Sequence, residues 1–359
     1  MSDRAERLTE LFAEAGIDVL LVTDLVNVRY LTGYSGSNGL ALIGPQLRMF
    51  ISDFRYQEQA AEEVDDSFAR RIAPAPQGLL DLVGEALPAG ELRLGFEADH
   101  VSVNQHQRLR AQLRDDVDLV STSRLVETLR AVKEPDEVAR IKAASALADA
   151  AFERLLRERI VGRTERQLAL ALENDMRQRG AERVSFETIV AAGAHGALPH
   201  AQPRDVEIRE GDLVVFDWGA ELDGYCSDCT RTIAAGDPGT DARDVYELVL
   251  ESQLAGLQAV RSGRGGKDVD GVAREMIAAS GYAEHFGHGL GHGVGLEVHE
   301  RPTLSTRSDD ELQASNVVTV EPGVYLPRQF GIRIEDLVVV TDDGCEILTS
   351  VPKQLVVVD

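Results

Sequence analysis

Apolar residues recur at helical spacing from Arg4 to Ala15, and the run Asp18-Val-Leu-Leu-Val-Thr that follows reads as a buried strand. Further strand-like runs lie at Leu40–Ile43, Met49–Ile51 and Leu92–Phe96, with helical stretches between them. This alternation predicts an α/β domain over residues 1–127. It contains no Gly-rich loop of the kind that cradles phosphates, which argues against nucleotide binding.

Around Glu127–Glu137 the register resets. Pro135 suits the first turn of a new helix, and the acidic residues beside it favour a helix N-terminus. An Ala-rich helix is predicted from there to about Glu158, and a second from Glu165 to Arg179, ended by Gly180. Strands then dominate, interrupted by helices from Asp241 to about Arg261 and from Val269 to Ala279. Residues 128–359 are therefore expected to form a second, α+β domain, without internal repeats or low-complexity tracts.

Composition narrows the partners. The 359 residues carry a formal charge of −24 with no basic stretch, so nucleic acid and anionic membrane surfaces are excluded as natural partners. The mixed-charge N-terminus lacks the apolar core of a signal peptide, and no apolar run approaches the roughly 18 residues of a membrane span. Cys226, Cys229 and Cys345 make no disulfide framework, which fits a reducing cytoplasm. Cys226 and Cys229 have zinc-knuckle spacing but no second pair, and are expected to pack beside Asp228.

The chemistry lies in the second half. Asp217, Asp228, His292, Glu321 and Glu335 occur in Phe-Asp-Trp-Gly, Cys-Ser-Asp-Cys-Thr, Gly-Leu-Gly-His-Gly, Val-Glu-Pro-Gly and Ile-Arg-Ile-Glu-Asp. Four carboxylates and an imidazole are a hard, oxygen-rich set suited to manganese, cobalt or zinc. Asp223-Gly224 is a strong type I′ hairpin signal, and a turn there sets Asp217 opposite Thr230. Asp228 then shares a face with Asp217 as a diagonal neighbour, about 7–8 Å away at Cα. Glu321 and Glu335 flank a loop containing Pro327 and Gly331, and an odd loop length puts both on one face. His288 and His292 have the i, i+4 spacing of helical zinc proteases, but the interleaved glycines make a very poor helix. An extended Gly-rich segment close to a bound substrate fits better.

With these motifs in order, residues 128–359 resemble the pita-bread metallopeptidases, in the branch of prolidase and aminopeptidase P. Asn27-Val-Arg-Tyr-Leu-Thr-Gly, Gly36-Ser-Asn-Gly and Asp53-Phe-Arg-Tyr extend the resemblance to a creatinase-like N-terminal domain. The resemblance implies hydrolysis of the peptide bond preceding proline, with two divalent ions, manganese first and cobalt or zinc as alternatives. Asp228 and Glu335 would bridge them, Asp217 would complete one shell, and His292 with Glu321 the other. It also implies that Glu321 shuttles a proton, that His200 and His299 act on the scissile group, and that His288 borders the substrate. Arg333 would orient ligand carboxylates. Arg307 matches a position where some prolidases read the free prolyl carboxylate, which favours an Xaa-Pro dipeptidase. Aminopeptidase P, acting on longer proline-containing peptides, is the alternative, and an inactive peptide-binding protein on the same scaffold the remote one. The family's habit further implies a homodimer whose N-terminal domain limits substrate length.

Overall fold

The computed structural model describes residues 4–359. The chain divides into one compact unit that ends at Arg130 and a second that begins at Ala131.

The first unit is built on a mixed sheet of six strands: β1 (Val19–Val22), β2 (Leu40–Gly44), β3 (Leu47–Asp53), β4 (Ala69–Ala73), β5 (Leu92–Glu97) and β6 (Val117–Thr122). Their spatial order is β4-β3-β2-β1-β5-β6. β1 pairs antiparallel with β2 and parallel with β5, so both of its edges are used, and all four of its residues are buried. Leu21, Leu42 and Leu94 from these three strands meet in one core with Val83 and Leu109. The two strands absent from the sequence expectation, β4 and β6, lie at the edges of the sheet. Edge strands bury little, and Ala-Arg-Arg-Ile-Ala shows it: the pattern that marks a strand is diluted by charge.

The motif residues of this unit are mostly structural. Glu97 is buried at the end of β5 and accepts from the backbone N–H groups of Thr23 (2.6 Å) and Asp24 (2.8 Å) and from Asn27 Nδ2 (2.8 Å). Asn27 also accepts from Arg130 Nη1 at 2.8 Å. Asp53 caps the turn after β3, accepting from the Arg55 N–H at 3.0 Å and from Asn38 Nδ2.

The second unit contains β7 (Arg183–Val184), β8 (Ile189–Ala192), β9 (Leu213–Trp218), β10 (Ala220–Leu222), β11 (Tyr225–Cys226), β12 (Cys229–Ala235), β13 (Gly291–Gly293), β14 (Glu300–Leu304), β15 (Val317–Val320), β16 (Gly323–Leu326), β17 (Phe330–Arg333), β18 (Asp336–Val340), β19 (Cys345–Ile347) and β20 (Val357–Val358). They form sheets ordered β20-β12-β9-β8 and β14-β13-β15-β18-β19, with the smaller groups β11-β10-β7 and β16-β17. Two long helix pairs cover them. Pro135–Leu155 and Glu165–Gln178 share a core with β9 through Phe152, Leu155, Leu168 and Leu172 against Phe216 and Trp218. Thr240–Ala259 and Gly266–Ala279 do the same for β15 and β18, through Val249, Val269 and Ile277 against Val318, Val320 and Val338. Pro135 stands in the first turn of its helix with Asp136 and Glu137, as their chemistry requires. No helix among the described residues is long and apolar enough to cross a membrane.

Candidate metal centre

Two hairpins, each split by a short break, supply the carboxylates. In the first, Asp217 pairs with Thr230 and Leu222 with Tyr225, so the register runs unshifted to the turn. Asp223 and Gly224 both have positive φ (50° and 82°), which makes the two-residue turn type I′. Asp228 lies in the break between β11 and β12. There the two arms pinch together: a Cβ on Gly219 would stand 2.0 Å from the Ser227 carbonyl oxygen, so no other residue fits. In the second hairpin Val320 pairs with Asp336 and Gly323 with Arg333, so Glu321 faces Glu335 across the break. The turn is the three residues between Leu326 and Phe330, with Arg328 at φ 66°. The loop length that the sequence leaves open is therefore odd, and both glutamates share a face.

His292 is the middle residue of β13, which pairs with both β14 and β15. The flanking glycines are squeezed: a Cβ on Gly291 would lie 2.0 Å from the Thr319 carbonyl oxygen, and one on Gly293 2.3 Å from that of Arg301. His292 Nδ1 lies 3.0 Å from the Gly293 carbonyl, which can only accept, so Nδ1 carries a proton and Nε2 is the nitrogen that faces the carboxylates.

Ligand oxygens of Asp217, Asp228 and Glu335 lie within 4.8 Å of one another. His292 Nε2 is 3.3 Å from Glu321 Oε1 and 3.7 Å from Asp228 Oδ2, which makes Asp228 the link between the two subsets. All five line one cavity of about 460 Å³ with His200, His288, His299 and Arg333. His299 stacks edge-on to His292 with ring centres 4.4 Å apart.

The electrostatics are those of a site that wants cations. Burial, then the charges of Glu335 and Asp217, hold the Asp228 carboxyl well above its ordinary range. Burial, then the charges of Glu321 and Asp217, do this to Glu335, and burial raises Asp217 despite Arg333. Asp217 Oδ1 and Glu335 Oε1 are buried and accept no hydrogen bond. Leaving a buried acceptor unpaired costs about 1–3 kcal/mol, more when it is charged, so two such oxygens in one cluster fit divalent metal ligation. Glu321 differs: burial pushes it up, but the hydrogen bond and charge of His292 outweigh this and bring it to about 2.

Arg333 is buried beside these carboxylates. It donates to Asp217 Oδ2 (2.5 Å), Thr230 Oγ1 (2.9 Å), the Tyr325 hydroxyl (2.7 Å) and the Pro199 carbonyl (3.2 Å). Tyr325, which no sequence motif singles out, links it to His288: the hydroxyl is 2.9 Å from His288 Nε2. His288 Nδ1 is 2.8 Å from the Gly289 carbonyl and so donates to it. Both nitrogens of His288 are thus engaged within the protein, and burial lowers its pKa. Thr319 is a second unmarked contributor. Its hydroxyl accepts from the His292 N–H (3.1 Å) and donates to Glu321 Oε1 (3.1 Å). Arg307 is exposed and is not among the residues that line the cavity. Cys226 and Cys229 are buried on either side of Asp228, with Cys229 Sγ directed at the Glu335 carbonyl (3.8 Å).

Residues 139–342 match the model of metallopeptidase family M24, and residues 4–132 that of the creatinase/prolidase N-terminal domain. A solved Xaa-Pro dipeptidase from Bacillus anthracis is 40% identical, with a TM-score of 0.94 and 99% of each chain covered. An X-Pro aminopeptidase from Thermotoga maritima is 38% identical, with a TM-score of 0.91 over 99% of this chain and 100% of that one. An Xaa-Pro dipeptidase from Pyrococcus furiosus is 35% identical over 99% of this chain and 100% of its own. The chain belongs to metallopeptidase family M24, a family of divalent-metal enzymes.

Proposed function

We propose that this chain hydrolyses the peptide bond preceding proline in Xaa-Pro dipeptides, using two divalent cations, manganese first among them. The observation that carries the reading is the pair of orphaned, buried carboxylate oxygens on Asp217 and Glu335 within one ligand cluster. Asp217, Asp228, His292, Glu321 and Glu335 would hold the ions, with Asp228 and Glu335 shared between them. Four carboxylates balance the charge of two divalent ions. When bound, such ions supply Lewis acidity at the scissile carbonyl.

The chain's own residues do the rest. Arg333 holds Asp217 in place while staying outside the ligand set. Glu321, hydrogen-bonded to Thr319 and close to His292, is an ionised base that takes a proton from the attacking water and passes it to the prolyl nitrogen. That nitrogen must be protonated as the bond breaks, because an amide anion is too poor a leaving group. His200 and His299 line the cavity and are the groups positioned to donate to the carbonyl oxygen or leaving nitrogen. His288, with both nitrogens engaged, is assigned to shaping the wall rather than to donating to substrate.

One observation favours the second reading, aminopeptidase action on longer peptides. Arg307, the expected reader of a free prolyl carboxylate, is exposed and outside the cavity lining. Turnover of Ala-Pro and of Ala-Pro-Ala with added manganese separates the two. Rapid hydrolysis of the dipeptide with little of the tripeptide supports the dipeptidase, and the reverse supports the aminopeptidase. We further propose that the protein is cytoplasmic and a homodimer. The three free cysteines support the first, and the mass in solution tests the second.

A further inference from the structure

We propose that Glu165 is a positioning residue that clamps the loop carrying His200 against the cavity. This rests on the role assigned to His200 above. Glu165 is the first residue of the helix Glu165–Gln178, and its side chain is 0% exposed. An acidic residue there ordinarily serves its own helix end. Here Thr164 already does so, accepting from the Gln167 N–H at 3.2 Å, and none of the donors to Glu165 belongs to that helix.

The donors come from both ends of one loop. The Ala192 N–H, at the end of β8, donates to Oε1 at 3.0 Å. His195 Nδ1 lies 3.0 Å from both oxygens. Arg204 donates from its N–H (2.9 Å), Nε (3.1 Å) and Nη2 (3.0 Å), a two-pronged grip by its guanidinium. Between these ties run Pro199, His200, Ala201, Gln202 and Pro203, all of which line the cavity. The middle of the loop is fixed from the other side: the Pro199 carbonyl accepts from Arg333, and Gly196 lies so close to Gly331 that a Cβ on Gly331 would stand 1.9 Å from the Gly196 oxygen. His200 itself is exposed, and among the described residues no hydrogen bond holds its ring, so its place depends on the loop. Burying a carboxylate completely is costly unless it is paired, and here one group returns that cost by joining three points of a catalytic wall.

The test is a double-mutant cycle with amide hydrogen exchange, on the full-length, manganese-loaded protein. Glu165→Gln should lower kcat on Ala-Pro by roughly tenfold or more, the loss that about 1.4 kcal/mol of misplaced catalysis gives, with bound metal unchanged. In a His200→Ala background the same substitution should cause no further loss. Exchange across residues 193–204 should rise while the second hairpin keeps its protection. Additive losses in the cycle, or unchanged exchange in that segment, would overturn the clamp. If Glu165→Gln does not fold, Arg204→Ala removes the exposed half of the grip and must show the same non-additivity, and its absence is equally fatal. If the wild type does not hydrolyse Ala-Pro, the proposed function falls, and the exchange measurement alone decides the clamp.

Discussion

Among the places where the molecule buries carboxylates, two treat them in opposite ways. At the end of β5, both oxygens of Glu97 are saturated: Oε2 by Thr23 and Asp24, Oε1 by Asn27. In the candidate metal centre, Asp217 Oδ1 and Glu335 Oε1 have nothing to accept. Asp336 makes the contrast within a single dipeptide. It follows Glu335 directly and is equally buried, yet it accepts from Arg231 (2.8 Å), Gln253 (2.9 Å), Thr349 (2.8 Å) and Lys353 (2.6 Å). A buried acid that the protein satisfies itself is architecture, while one it leaves unsatisfied beside others of its kind is a place for a cation.

Substitution in the two regions should therefore fail in different ways. Asp228→Asn is expected to reduce peptide hydrolysis to background and lower bound metal, with the circular dichroism of the wild type retained. Glu97→Ala should do the reverse, costing about 1–3 kcal/mol in denaturant unfolding through orphaned N–H groups and leaving metal content unchanged. An Asp228→Asn variant with full activity and full metal would erase the distinction.

Asp336→Asn should cost more stability than Glu97→Ala. It strands Arg231, which is 2% exposed on its side chain, and breaking a buried pair costs about 3–5 kcal/mol. Burial pushes Asp336 up, but Arg231 and Lys353 outweigh it and hold the carboxyl below its ordinary value. A folded-state pKa lowered in this way contributes stability that is present above the ordinary carboxylate range and lost as pH falls through the depressed value. Urea unfolding from neutral to strongly acidic pH should show that loss in the wild type and a flatter profile in Asp336→Asn.

These contrasts also show which parts of the protein were legible in its sequence. The α/β and α+β classes, the helix starts at Pro135 and Glu165 and the first hairpin could be read, because strong local signals set them: an N1 proline, an Asp-Gly turn and alternating apolar runs. Edge strands such as Ala69–Ala73 could not, since little of them is buried. The second hairpin's loop could be bounded but not counted, because a three-residue turn with Arg328 in the left-handed region carries no glycine to mark it. Tyr325 and Thr319 were invisible for a different reason. A tyrosine or threonine in a strand looks like core, and only the folded register aims its hydroxyl at His288 or at Glu321.

Smaller effects sharpen the comparison within the cavity wall. Tyr325→Phe removes one hydrogen bond to His288 and one from Arg333. The loss of wall positioning is expected to cost catalysis the worth of about one such bond, roughly 0.5–1.5 kcal/mol, so kcat should fall by up to about tenfold with metal content unchanged. Arg307→Ala should change stability by less than about 0.5 kcal/mol and affect Ala-Pro and Ala-Pro-Ala alike. A loss confined to the dipeptide would restore Arg307 as the reader of the prolyl carboxylate.

The most direct measurement is calorimetric titration of the metal-free protein with manganese, run in parallel on the wild type and Asp228→Asn. The account predicts two ions bound per wild-type chain and the loss of that binding in the variant. A wild type that binds no ion, or an Asp228→Asn protein that still takes up two, would contradict it.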